Sequence, residues 1–481
     1  MITFEIKKNL NRPGEFSYDL KALAQSFYPE KPCQVVERED WVEEEGYPLR
    51  CILDEKEILN ETLPGNYTKN MVKALVYKTL EHCSGRSLPW GILTGIRPAK
   101  IPLRMKMQGE SREAMEQVLQ EEYLVNEAKT RLAVDVAEKE YERTKGFDHE
   151  KGYNIYIGIP FCPSICQYCS FSSYDIRSYK KKVDDYLSAL EKEMKYTAET
   201  FGDYELHTVY VGGGTPTSLN PGQLKRLMEM IHKYLPMSET AEFTVEAGRP
   251  DSITREKLEV MKHASVTRIS INPQTMKQHT LDLLGRKHTV EQIHQVYAMA
   301  KEMGFDNINM DLIVGLPEET EEDFTDTLQK VCDMEPDSVT VHTLVIKRAS
   351  RMRREQLEQG GEMHPEDELI AKLQYYSEDF LREKGYEPYY MYRQKNKAGT
   401  TRNTNQENVA YARPGKECLY NIFIMEELET IVALGSGGST KHVFHGENRM
   451  ERVENVKSVD DYISRIDEMI ERKRGEFKQW H

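Results

Sequence analysis

Cysteine is scarce here, with 8 in 481 residues, and five of them (Cys33, Cys51, Cys83, Cys332 and Cys418) are scattered and read as small buried residues. No uninterrupted apolar run approaches the roughly 18 residues of a membrane span. The start, Met1-Ile-Thr-Phe-Glu5, lacks the basic opening and apolar core of a signal peptide. These absences predict a cytoplasmic protein, a compartment where disulfides are rare and clustered cysteines point to metal or redox chemistry. A basic excess is missing too: 65 Lys and Arg face 80 Asp and Glu, a formal net charge of −15. That argues against general nucleic-acid binding and leaves room for a local basic pocket for a small anion. There are no internal repeats and no low-complexity tracts.

The texture of the chain divides it into three. Residues 1–150 mix short strand candidates (2–6, 33–36, 49–52) with an amphipathic segment at 70–82, a Gly- and Pro-punctuated turn at 90–98 and a helix expected over 111–145. They read as an accessory α/β domain that packs against or caps the next. Residues 151–350 alternate strand and helix. Strands are expected at 154–159, 208–211, 242–245, 268–271, 308–314 and 338–344. Helices are expected at 183–200, 221–234, 255–262, 290–303 and 321–334. Six such units predict parallel strands with right-handed crossovers, and so an α/β fold built on a partial (β/α)6 barrel, with a flat doubly wound sheet as the alternative. Residues 351–481 lose the alternation and read as a C-terminal α+β region covering the barrel, with helices at 366–384 and 458–473.

The three remaining cysteines sit together after the first barrel strand, as Cys162-x₃-Cys166-x₂-Cys169. Thiolates suit zinc or iron–sulfur clusters. Structural zinc takes four protein ligands, and neither a His nor a fourth Cys is near in sequence. Three thiolates on a [4Fe–4S] cluster would leave one iron open, whereas electron-shuttling clusters use four. Polar residues gather at the later strand ends as well: Gly212-Gly-Gly-Thr-Pro-Thr217, Glu246, Asn272 with Gln274, Asp311 and His342. In a parallel barrel these ends open on one face, where active sites lie. Taken singly, each has a blander reading as a tight turn, a loop acid or a surface arginine; their convergence is what carries weight. A basic run, Lys347 to Arg354, follows the last barrel strand and is suited to an anion.

At these residues the chain resembles radical S-adenosylmethionine (SAM) enzymes. The resemblance rests on Tyr156-Ile-Gly-Ile-Pro-Phe-Cys162 with Cys166 and Tyr168-Cys169, on Gly-Gly-Gly-Thr-Pro-Thr217, on Arg268-Ile-Ser-Ile-Asn-Pro-Gln274, on Gly285-Arg286, and on Asn309-Met-Asp311-Leu-Ile-x-Gly-Leu-Pro317. They are similar to the anaerobic coproporphyrinogen III dehydrogenase group. The segments 90–98 and 390–395 resemble its HemZ-like branch. The resemblance implies that Cys162, Cys166 and Cys169 ligate a [4Fe–4S] cluster. It further implies that Tyr156, Gly213, Gly214, Thr215, Glu246, Gln274, Arg286 and Asp311 hold SAM, with Tyr168 flanking the cluster.

The implied activity is an oxygen-independent oxidative decarboxylation of two propionates to vinyls, giving protoporphyrinogen IX in haem biosynthesis. An electron donor such as flavodoxin or ferredoxin would be its partner. Arg348, Arg351, Arg354 and Arg393 are the candidates for meeting the carboxylates of the tetrapyrrole. Two departures bear on this. Well-studied members carry a further cysteine where Phe171 stands, and the stretch 419–424 lacks the His and Trp of the haem-chaperone branch. A haem chaperone and a haem-modifying radical enzyme are the rival readings.

Overall fold

A computed structural model describes residues 1–10, 12–41, 45–169, 172–344, 367–394, 407–447 and 449–478. The basic run with Arg348, Arg351 and Arg354 lies outside the described residues, as does Phe171. The chain forms two compact units, one of residues 1–142 with 391–408, the other of residues 143–390 with 409–481.

In the first unit β1 (Ile2–Lys7) is central, parallel to β2 (Cys33–Arg38) and antiparallel to β3 (Tyr47–Leu53), which pairs with β4 (Lys56–Leu63). Helices Ser17–Phe27 and Lys69–Ser84 supply the core, with Leu20, Val72 and Val76 buried against Phe4. Thr68 caps the second helix through Met71 N–H, and Gly85 ends it in the left-handed conformation that glycine adopts without a Cβ clash. Cys83, expected to be buried, is exposed on this helix. The single helix expected over 111–145 is interrupted. Arg112–Gln117 runs into a π-helical turn at Val118–Glu122, and a new helix, Glu127–Thr144, follows Asn126, whose Oδ1 accepts from Lys129 N–H. An N-cap asparagine inside a Glu- and Ala-rich run is a break that periodicity alone passes over.

The second unit contains the expected parallel strands in sequence order: β5 (Gly152–Ile159), β8 (Glu205–Gly213), β9 (Glu242–Glu246), β10 (Arg268–Ser270), β11 (Ile308–Val314) and β12 (Ser338–Thr343). Two-residue strands β6 (Phe161–Cys162) and β7 (Tyr174–Asp175) pair with each other outside this sheet. The order of the large sheet is β13-β14-β12-β11-β10-β9-β8-β5-β15-β16-β17. Here β13 is Glu387–Arg393, β14 is Glu407–Ala412, β15 is Thr430–Leu434, β16 is Ser439–Phe444 and β17 is Arg449–Glu454. The partial barrel is thus present with one parallel strand more than expected, because β15 pairs parallel with β5. Its five residues, four of them apolar, follow helix Leu419–Glu426 after only three residues, and so short a run does not separate strand from helix by composition.

Crossover helices start where the sequence says. Asn220 and Gln223, and Thr289 and Gln292, form capping boxes that satisfy the first free N–H groups. The last helix comes in two pieces, Val459–Ser464 and Ile466–Phe477, joined at Arg465.

At the N-terminal end of the strands a polar cluster closes on itself. The buried Glu429 carboxylate accepts from Asn154 Nδ2 at 2.7 Å and pairs with His149 Nδ1 at 2.7 Å and His207 Nδ1 at 3.0 Å. Thr208 Oγ1 donates to Asn154 Oδ1 at 2.6 Å.

Candidate functional site

The opposite, C-terminal ends of the same strands gather the residues singled out above. β5 runs through Pro160 into β6, which carries Cys162, and Cys166 and Cys169 follow in a loop closed by Cys169 N–H to Cys166 C=O at 3.2 Å. The loop is tied down from two sides. Gln167 N–H donates to Leu284 C=O at 3.1 Å, and Ser164 Oγ to Gly285 C=O at 3.3 Å. Two of its sulfurs accept hydrogen bonds: Thr215 Oγ1 donates to Cys162 Sγ and Arg249 Nη1 to Cys166 Sγ, both at 3.5 Å. Burial pushes the Cys162 thiol up to about 11, so loading a metal must release that proton. Among the described residues no group of three His, Cys, Asp or Glu side chains is arranged to hold a single metal ion. A cubane takes each thiolate on a different iron. Donors aimed at the sulfurs suit thiolate ligands, so the loop fits a cluster.

The Gly-rich turn packs against this loop. Gly214 N–H donates to Ile159 C=O at 2.8 Å and Thr215 N–H to Phe161 C=O at 2.7 Å. A Cβ on Gly214 would lie 2.6 Å from Phe161 O, so only glycine permits the approach. Gly213, at φ +105°, gives its N–H to Glu246. With those N–H groups committed, the turn can meet an ammonium through carbonyl oxygens.

Glu246 accepts from Tyr210 Oη at 2.6 Å. Burial, reinforced by the charge of Asp311, raises its pKa to about 7, against the pull of Tyr210, the Gly213 amide and Arg268. Asp311 behaves oppositely. Burial would raise its pKa, but His342, 3.7 Å away, with Asn309 and Thr340, carries it below the usual carboxylate value. Gln274 sits buried at φ +69°, a region unusual for a residue with a side chain; its N–H bonds Asp311 C=O and its C=O accepts from Ile313 N–H. Arg286 joins two strand-end loops and the cysteine loop, donating to Asn272 C=O at 2.6 Å, Gly248 C=O at 3.3 Å and Tyr168 Oη at 3.1 Å.

Tyr156 lies in a stack with Tyr210 and Tyr420, ring centroids 6.2 Å from each, and those two rings are 4.5 Å apart. Tyr420 is placed by the buried Glu242 carboxylate, which accepts from Leu419 N–H and Tyr420 N–H and so caps the short helix Leu419–Glu426. Several buried polar atoms have no hydrogen-bond partner among the described residues: Ser270 Oγ, Asn272 Oδ1, Arg286 Nε and both ring nitrogens of His288. Buried polar groups are normally satisfied, so polar atoms left over beside aromatic rings and carboxylates fit a polar organic ligand such as SAM.

The structure thus brings Tyr156, Cys162, Cys166, Tyr168, Cys169, Gly213, Gly214, Thr215, Glu246, Gln274, Arg286 and Asp311 to one end of one unit. Arg393 belongs to the first unit, half-buried and donating to Leu93 C=O at 2.5 Å while its guanidinium lies 5.4 Å over the Trp90 ring. That contact joins the two segments, 90–98 and 390–395, whose resemblance was to the same branch. Sequence reasoning missed Tyr210, Tyr420 and Arg249. Tyr210 could have been found as a strand residue two positions before the Gly-rich turn. Arg249, three residues after Glu246, carried no spacing signal.

The Radical SAM superfamily matches residues 156–331. The chain is 37% identical over 409 residues to the oxygen-independent coproporphyrinogen-III oxidase-like protein HemZ of Bacillus subtilis, across 84% of this chain and 80% of that one. It is 39% identical over 222 residues to the heme chaperone HemW of the same organism, across 46% of this chain and 57% of that one. Its fold is similar to that of the solved coproporphyrinogen III oxidase HemN of Escherichia coli, with a TM-score of 0.53 at 24% identity, over 67% of this chain and 71% of that one.

Proposed function

The chain belongs to the radical SAM family of oxygen-independent coproporphyrinogen-III oxidase-like proteins, whose cofactors are a [4Fe–4S] cluster and SAM, and from that premise we propose that it decarboxylates coproporphyrinogen III oxidatively to protoporphyrinogen IX. The observation that carries the reading is similarity along most of the chain to an oxidase-like relative, joined to three loop cysteines at the mouth of the barrel. When bound and reduced, the cluster and SAM together supply a carbon radical able to take a hydrogen atom from an unactivated C–H bond.

The protein's own part is holding and exclusion. Cys162, Cys166 and Cys169 would ligate the cluster. Glu246 and Asp311, unlike in protonation near neutral pH, would hold the ammonium and ribose hydroxyls of SAM. Arg286 would meet its carboxylate, and the tyrosine stack would shield the pocket from water. Arg348, Arg351 and Arg354 would receive the substrate carboxylates, and a flavodoxin- or ferredoxin-type protein would bring electrons. No helix among the described residues is long and apolar enough to cross a membrane.

A second reading, a haem chaperone, is favoured by the similarity to HemW over 222 residues. Anaerobic incubation of reconstituted protein with SAM, a reductant and coproporphyrinogen III separates the two. Release of CO₂ and 5′-deoxyadenosine with a two-vinyl product is expected. Stable haem binding without substrate-dependent SAM cleavage would sink the oxidase reading.

A further inference from the structure

Arg249 is the charged side chain that reaches the cysteine loop from outside the motifs. It lies three residues past the end of β9, and a 3-10 turn, Pro250–Ser252, fixes its backbone: Ser252 returns both N–H and Oγ to Arg249 C=O, at 2.9 and 2.7 Å. The residue is only 3% exposed. Its Nη1 donates to Ser164 C=O and Ser164 Oγ, each at 3.1 Å, and to Cys166 Sγ at 3.5 Å. Its other edge is held by both oxygens of Asp251, Nε to Oδ1 at 2.9 Å and Nη2 to Oδ2 at 2.7 Å. A bidentate clamp fixes the plane and direction of the fork as well as its charge. Behind the clamp lies His288, fully buried, 4.0 Å from Asp251. This guanidinium is aimed at a sulfur and held there by a carboxylate that touches no cysteine.

A buried cation and an N–H donor on a cluster sulfur act in the same direction. Reduction adds negative charge to a group already negative with its thiolates. Hydrogen bonds to sulfur and nearby net charge are among the levers that set cluster potentials. Second-layer partners that orient a ligand also tune the metal. We propose that Arg249, oriented by Asp251, is a positioning residue that sets the Cys166 thiolate in place and eases one-electron reduction of the cluster. The electron comes from an external one-electron donor and is stored on the cluster; no bond to Arg249 forms or breaks, and its proton stays in place. Asp251 has two opposed effects, since it holds the cation in register while its own charge partly cancels it.

The proposal rests on the assignment of Cys166 as a ligand, and the two fail in different ways. Arg249→Gln, Arg249→Lys and Asp251→Asn are reconstituted anaerobically beside the wild type. Cluster content, melting temperature of the metal-free protein and midpoint potential by EPR-monitored titration are recorded, none of which needs turnover. R249Q is expected to hold cluster and lower the potential, so that the reduced-to-oxidised ratio at a fixed solution potential falls tenfold or more, about 59 mV for one electron. R249K should fall between R249Q and wild type. D251N should shift the opposite way, by less than R249Q. Equal potentials in all loaded variants would overturn the proposal. So would loss of cluster from R249K and D251N as well as R249Q, because the arginine would then be scaffolding. An intact cluster in Cys166→Ala would instead overturn the ligand assignment beneath it.

Discussion

The two ends of the parallel sheet in the second unit are both lined with buried polar side chains, and they treat them differently. At the N-terminal end Glu429, Asn154, His207 and Thr208 find one another at 2.6–3.0 Å. At the C-terminal end Ser270 Oγ, Asn272 Oδ1 and Arg286 Nε have no protein partner among the described residues, and two carboxylates of the same chemistry are pushed apart in protonation. Burying a polar atom without a hydrogen bond is costly, so the first arrangement serves folding and the second makes sense with a ligand present. Neither polarity nor an unpaired polar atom marks a site by itself; at the C-terminal end the unpaired atoms coincide with the cysteine loop and with two carboxylates of opposite pKa shift, and that coincidence does.

The comparison can be broken first at the cysteines. Cys166→Ala should abolish iron loading and SAM cleavage entirely while leaving the metal-free melting temperature close to wild type. A large loss of metal-free stability would mean that this end is structural too. At the other end Glu429→Ala should leave cluster loading intact and destabilise the protein by about 3 kcal/mol, since it strands buried donors. Chemical denaturation of the metal-free form reads this.

The same cluster sets a pH window. Burial and hydrogen bonds compete at both partners, and the outcome is a Glu429 pKa below its ordinary value near 4.5 and a His207 pKa above its ordinary value near 6.5. Glu429 contributes stability above about pH 4.5 that is lost as pH falls through its folded value. His207 contributes stability below about pH 6.5 that is lost as pH rises through its folded value. The contribution is therefore full between those limits, and E429A should flatten it.

Much of the second unit was legible because its chemistry repeats. Short Val- and Ile-rich runs and capped helices recur in step, and helices such as Val183–Thr200 and Pro221–Tyr234 fall at the expected limits. The gathering of the cysteines, Gly213, Gly214 and Glu246 was legible because each falls at or just after a strand end; Asp311 lies inside β11, three residues before its end. What escaped was set by packing across distant segments. β15 is a short run close behind a helix and is defined by its pairing with β5. Tyr420 enters the stack only because Glu242, some 180 residues earlier, caps its helix. The contacts of Arg393, chosen by its charge, with Leu93 and Trp90 escaped for the same reason, since they join segments some 300 residues apart.

Smaller effects sharpen the contrast. Gly214→Ala should weaken SAM binding on the order of 100-fold, as its Cβ drives the 159–161 backbone off the turn. Isothermal titration with the reconstituted protein checks it. Glu246, facing Tyr210, Asp311 and Arg268, has a raised pKa of about 7, so the carboxylate that would hold SAM is mostly protonated at pH 6 and ionised at pH 8. SAM affinity should rise about tenfold across that interval, and E246Q should bind weakly and without pH dependence. In the metal-free protein the sign is opposite: folding favours the protonated carboxyl, so this group lowers stability as pH rises from about 4.5 to 7. Smallest of all, Ser270→Ala removes a hydroxyl that bonds nothing among the described residues and should change metal-free stability by less than about 0.5 kcal/mol. Thr208→Val removes a made hydrogen bond at the other end and should cost about 1 kcal/mol or more.

The central claim is that the C-terminal end of the barrel holds a cluster with one iron left open for SAM. EPR of the reduced, reconstituted protein, recorded before and after adding SAM, tests it most directly. The account predicts a [4Fe–4S] signal that changes shape on SAM addition and is absent from Cys166→Ala. A cluster signal that SAM leaves unchanged, or one that survives the substitution, would contradict it.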